Sequence, residues 1–129
     1  MTELMSQAPT QAVVLNRDLL FGSRIRSTLK SLGLDARFVT TAEQFVDALH
    51  EQPASVAIGI VDMNGAVAWD VIREELSRSS GERVPTLAFG PHVDIENRRS
   101  AKAAGVTRIV SNGQFHADMP GLIDRYRRR

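Results

Sequence analysis

Five short strand-like runs, each followed by a stretch with the apolar spacing or the end signals of a helix, constrain this chain more than any other feature. The first run, Ala12-Val13-Val14-Leu15, is apolar at consecutive positions, so both faces of that strand need cover. Phe21, Ile25, Leu29 and Leu32 follow at helical spacing, with Gly33 placed to end the helix in the left-handed region. A second strand is expected around Ala36-Arg37-Phe38-Val39. The sequence Thr40-Thr41-Ala42-Glu43 then reads as a capping box, with Glu43 reaching back to the Thr40 amide. Ala42, Phe45, Val46 and Leu49 form the core stripe of the second helix.

The run from Val56 to Val61 is again apolar on both faces and stops at Asp62, as a central strand does. The third helix is expected over residues 66–77, with Ala68, Trp69, Ile72 and Leu76 inward, ahead of a polar loop over 78–83. Pro85 opens a strand over Thr86-Leu87-Ala88-Phe89. Asp94 caps a helix that Gly105 ends. Thr107-Arg108-Ile109-Val110 is the fifth strand, broken at Asn112-Gly113. Met119, Leu122, Ile123 and Tyr126 mark a last helix with Pro120 in its first turn.

Strand and helix alternate five times without hairpin spacing, which predicts an α/β fold: a parallel, doubly wound sheet with right-handed crossovers. A length of 129 residues suits one domain. The expected organisation is a flexible tail over residues 1–10 and one domain over 11–129. The chain has no cysteine, which removes disulfides and thiolate chemistry and suits a reducing compartment. Its net charge of +1 argues for neither nucleic acid nor membrane as a partner. No apolar stretch approaches the ~20 residues of a membrane span, so a cytoplasmic protein is expected.

In open parallel sheets ligands sit at the carboxyl ends of the strands, where strand order reverses. Those ends carry Asn16-Arg17-Asp18, Asp62-Met63-Asn64, Gly90-Pro91-His92 and Ser111-Asn112-Gly113. No glycine-rich phosphate loop follows the first strand. His50, His92 and His116 lack metal-ligand spacing and are read as solvated loop residues. Arg125, Arg127, Arg128 and Arg129 suit the negative end of a helix dipole better than a nucleic-acid patch.

The order and lengths of these elements, the Val13-Val14-Leu15 opening, Asp62 ending strand three, the Pro85-led strand four and Ala104-Gly105-Val106 before strand five together resemble a response-regulator receiver domain. The resemblance implies a flavodoxin-like strand order 2-1-3-4-5. It also implies that Asp62 stands at the phospho-acceptor position and Asn64 at the position whose backbone carbonyl helps to hold Mg²⁺. The two acidic metal-binding positions are Asn16 and Arg17, the switch hydroxyl is Gly90, the phosphate-reading lysine is Asn112 beside Ser111, and the switch aromatic is Ile109.

Charges ~4 Å apart at an effective dielectric near 20 interact by about 4 kcal/mol before desolvation, and a cation in place of a carboxylate reverses the sign of that interaction. The Arg17 guanidinium is therefore expected to take the metal's place and pair with Asp62, while Asp18 caps the first helix. These replacements point to a degenerate pseudo-receiver: not an enzyme, without a cofactor, signalling through protein contacts. Its partner would be a histidine kinase or another signalling protein, or a second copy docked through the face of helix four, strand five and helix five, where Arg98, Arg99, Lys102 and Arg108 lie. The alternative is a working phospho-acceptor in a bacterial two-component phosphorelay, using Asp62 and Mg²⁺. A small-molecule binder at the strand ends is a third reading.

Overall fold

A computed structural model describes residues 8–78 and 83–129. Five parallel strands, β1 (Gln11–Leu15), β2 (Asp35–Val39), β3 (Val56–Asp62), β4 (Thr86–Gly90) and β5 (Arg108–Ser111), lie in the order β2-β1-β3-β4-β5. Six α-helices connect and follow them: α1 (Leu19–Ser31), α2 (Ala42–Glu51), α3 (Trp69–Arg78), α4 (Ile95–Ala104), α5 (Asn112–Ala117) and α6 (Met119–Tyr126). This is the parallel, doubly wound α/β architecture and the strand order expected from the sequence. Most of the tail expected over residues 1–10 falls outside the described residues, as do residues 79–82 of the loop before β4. Thr10 already belongs to the sheet end, since its amide donates to Ser55 and its carbonyl accepts from Asp35.

The period of two along each strand divides the core between two faces. Val13, Leu15, Val61 and Ala88 pack with Phe45 and Leu49 of α2, Ile72 and Leu76 of α3, and Ala101 and Ala104 of α4. Val14, Ile60, Leu87 and Phe89 pack with Ile25 and Leu29 of α1, Phe115 of α5, and Met119 and Ile123 of α6. Gly59 is small for a reason of packing: a Cβ there would lie 2.9 Å from the Phe45 ring, which crosses β3 at that point. Full burial of a side chain such as Phe45 contributes about 1.5–3 kcal/mol.

Three local expectations are corrected. The capping box at α2 is displaced by one residue. Thr41, in extended conformation, is the cap and accepts from the Gln44 amide, and it is the Gln44 side chain, not that of Glu43, that reaches back to the Thr40 amide. Helix α3 begins at Trp69 rather than residue 66, and Ala68 is exposed. The Ala66 carbonyl accepts from Arg17 and the Val67 carbonyl from the Trp69 amide, so neither enters a helical ladder. Between β5 and the last helix lies α5, where Asn112-Gly113 was expected only to break the strand. Ser111 and Gln114 form its capping box, a Ser-x-x-Gln signature present in the sequence.

Other readings hold. Asp94 caps α4, and Gly105 ends it in the left-handed region at φ 94°. Trp69 is a packing residue whose indole N–H donates to Asn97. Arg127 donates to the Leu32 carbonyl after α1, and Arg128 to the carbonyls of Pro53 and Val56, so both are fastened to the protein at the strand-start end. Of the histidines, His92 is an exposed loop residue, but His50 lies on α2 beside Glu75. His116 lies on α5 with its ring 4.5 Å from that of Phe21, rather than solvated in a loop, because α5 turns it inward.

Candidate functional site

The carboxyl ends of β1, β3 and β5 converge on Asp62. Its carboxylate accepts from Asn16 Nδ2 at Oδ2 and from both the backbone amide and Nδ2 of Asn64 at Oδ1, each at 2.8 Å. Three N–H groups thus converge on one negative charge, and hydrogen bonds to a charged partner are the stronger kind. Asn64 continues the network to Asn112: Asn64 Nδ2 donates to Asn112 Oδ1 at 3.0 Å, and Asn112 Nδ2 donates to Asn64 Oδ1 at 2.8 Å. Side-chain amides therefore join β1, β3 and the start of α5 through one carboxylate.

The placement follows from the sequence locally. Asn16 continues β1, its amide bonded to the Val39 carbonyl, and its side chain is held against α1 because Gly22 has no Cβ to fill that space. At 8% exposure Asn16 is one of two buried polar side chains among the described residues, and its bond to Asp62 offsets the desolvation that burial costs. Asn97, in the first turn of α4, fastens the loop after β3 by donating to the carbonyls of Met63 and Gly65. The Asp94-x-x-Asn97 spacing at a helix start was its only signal in the sequence.

Arg17 does not pair with Asp62. Its guanidinium donates to the Ala66 carbonyl at 2.6 Å and lies exposed beside Gly65. The physical reason is geometric: Asn16 precedes Arg17, points inward at the end of β1, and fills the place beside the carboxylate, so the next residue points outward. Asp18 is the N-cap of α1, accepting from the Leu20 amide. The metal that the fold suggests does not fit these residues. Asp62 is the only carboxylate of the network, and the groups that face it are N–H donors where Mg²⁺ would need oxygen ligands.

At the other positions, Gly90 is buried, and a Cβ there would stand 2.9 Å from Met63 Cβ and 3.3 Å from the Met63 carbonyl oxygen. Met63 therefore occupies the room that a switch hydroxyl would need. Ile109 is half-buried against the core on the α4 side of the sheet. Ser111 is engaged as the cap of α5. Arg99, Lys102 and Arg108 are exposed and Arg98 half-buried; none of the four has an ion-pair partner among the described residues. Above Asp62 lies a recess of about 220 Å³ lined by Leu15, Asn16, Arg17, Asp18, Asp62, Asn64 and Gly65. That is smaller than the ~300–1,000 Å³ of a drug-sized ligand site. No helix among the described residues is long and apolar enough to cross a membrane.

No family model and no curated protein matches the sequence. Solved structures do match the fold. The receiver domain of a sensor histidine kinase from Pseudomonas aeruginosa PAO1, solved with magnesium in its active-site cleft, superposes with a TM-score of 0.74 at 19% identity, over 92% of this chain and 98% of that one. The phosphorylated cyanobacterial phytochrome response regulator RcpA gives a TM-score of 0.74 at 13% identity, over 92% of this chain and 94% of that one. A response regulator receiver protein from Burkholderia phymatum gives 0.61 at 25% identity, over 89% and 95% of the two chains. Strand order, the helices on each face and these superpositions agree: the chain has the fold of response-regulator receiver domains.

Proposed function

We propose that this chain is a pseudo-receiver: a signalling module of the two-component type that acts through protein contacts and does not depend on Mg²⁺-assisted phosphorylation. The observation that carries the reading is the occupancy of Asp62. Its carboxylate already accepts three N–H donors. Three donors leave about one of the carboxylate's lone-pair sites open, and a phosphoryl acceptor also needs cationic charge placed to neutralise the transferring group. Here the donors are neutral amides, and Arg17, which lines the same recess, is bonded to Ala66. The hydroxyl and lysine that would read an attached phosphate are replaced by Gly90 and Asn112, and Asn112 is bonded to Asn64.

In this reading the chain is not an enzyme, carries no cofactor and works in the cytoplasm. Its partner is a histidine kinase or another signalling protein, or a second copy held through the face of α4, β5 and the last helix, α6, to which Arg98, Arg99, Lys102 and Arg108 contribute. Neither nucleic acid nor membrane is a partner. One observation favours the phospho-acceptor reading instead: Asp62 is only half-buried and opens onto the 220 Å³ recess. The test is incubation of the protein with a small acyl phosphate and Mg²⁺, followed by intact-mass measurement. No adduct is expected. A hydroxylamine-labile phosphoryl adduct that disappears in Asp62→Asn would overturn the reading and establish a phosphorelay receiver.

A further inference from the structure

Both asparagines of the reciprocal amide pair are followed by glycine: Asn64 by Gly65, and Asn112 by Gly113. An asparagine carboxamide carbon is open to attack by the backbone nitrogen of the next residue, and the reaction is least hindered when that residue has no Cβ. We propose that Asn64 is a self-modification site, at which deamidation to aspartate or isoaspartate severs the link from Asp62 to Asn112 and removes one of the three donors on Asp62. The step goes beyond the proposed function and requires only the placement of Asn64 and Gly65. An unmodified Asn64 would leave the pseudo-receiver reading intact, and a phosphoryl adduct on Asp62 would leave this inference intact.

The two asparagines share a motif but not a setting. Asn112 is the first residue of α5, held by the Ser111–Gln114 capping box directly before it. Closing a five-membered ring onto the next nitrogen requires its ψ to turn far from the helical value of about −42°. Such a turn would undo the start of the helix. Asn64 lies in the bend between β3 and α3, and its side chain is exposed. The Gly65 nitrogen donates no hydrogen bond among the described residues, so the attacking group gives up none of its own. A Cβ at Gly65 would meet only Arg17 Nη2, at 3.8 Å, so the glycine has room to move.

The chemistry balances without an oxidant, reductant or cofactor. The Gly65 nitrogen forms a bond to Asn64 Cγ, its proton passes to the departing nitrogen, the Cγ–Nδ2 bond breaks, and ammonia leaves a cyclic imide. Water then opens the imide at either carbonyl, giving aspartate or isoaspartate. One water is consumed for each ammonia released. The product has no N–H to replace Asn64 Nδ2, so the bonds to Asp62 at 2.8 Å and to Asn112 at 3.0 Å are both lost. In the aspartate product, oxygen would face oxygen across those same gaps, and a second negative charge would stand beside Asp62.

The experiment holds the native protein in mildly alkaline buffer at physiological temperature, digests samples over time, and follows conversion of amide to acid at each asparagine by mass spectrometry. Enzymatic methylation scores isoaspartate. The expected result is conversion at Asn64 to a mixture of both acids, with Asn112 retained as amide, and a rate about tenfold lower in Gly65→Ala. In the urea-unfolded chain the two sites should convert at similar rates, because the fold no longer separates them. Equal conversion of Asn112 in the native protein, no conversion at Asn64, or an unchanged rate in Gly65→Ala would each overturn the inference.

Discussion

At the scale of single residues, the decisive exchange at the site is an amide for an acid. Asn16 is buried and spends an N–H on Asp62, whereas an aspartate at the same place could only repel it. Asn16→Asp should therefore lower stability by roughly 1–3 kcal/mol in urea melts at neutral pH, from the lost charge-assisted bond together with the new repulsion. Millimolar Mg²⁺ should recover part of that loss, since an ion bound only by the folded state stabilises it by mass action, and should leave the wild-type midpoint unmoved. A wild-type midpoint that rises with Mg²⁺ would contradict the donor arrangement around Asp62. The residue types at these positions were legible in the sequence, but the partnership was not. Asn16 and Asp62 are 46 positions apart, and no local pattern tells which of two neighbouring side chains, Asn16 or Arg17, points inward. Met63 closing over Gly90 was hidden for the same reason: it is a contact between two strand ends.

At the scale of elements, what could be read was whatever depends on neighbours within a few positions. Strand runs, core stripes, the Asp94 cap and the left-handed Gly105 all belong to that class. One expectation failed because nearby signals are interchangeable. The adjacent threonines before α2 offer two capping registers, and the backbone selects Thr41 with Gln44. Thr41→Ala should cost about 1 kcal/mol in chemical denaturation. Glu43→Ala, at the residue the displaced register would require, should stay within about 0.5 kcal/mol. Equal losses in the two variants would restore the register built on Thr40 and Glu43. The start of α3 was missed for a different reason: its apolar spacing continues backward through Ala66, but carbonyls of that segment are claimed by Arg17 and Trp69. A distant arginine ends a helix in a way that periodicity cannot register.

At the scale of the whole molecule, the two poles of the sheet are held by different chemistry. The carboxyl pole is joined by side-chain amides around Asp62. At the amino pole, the backbone amide of Arg128 donates to the Ala57 carbonyl and its guanidinium to Val56 and Pro53. Arg127 and Arg128 thus complete sheet and helix ends elsewhere in the fold rather than the end of the helix they follow, with acceptors about 70 to 95 positions away in sequence. Arg128→Ala should destabilise the fold by roughly 1–3 kcal/mol, since it strips donors from partly buried carbonyls. Hydrogen exchange should quicken first at the start of β3 and reach Asp62 last. Uniform acceleration along the strand would show that the segment does not act locally.

That fastening also fixes the direction in which the chain leaves the domain. Val56 and Asp62 stand at opposite ends of β3, which at ~3.3 Å per residue sets them about 20 Å apart. A fluorophore or fusion partner joined after Arg129 would therefore sit at the far pole from Asp62, where it could report on the molecule without covering the site.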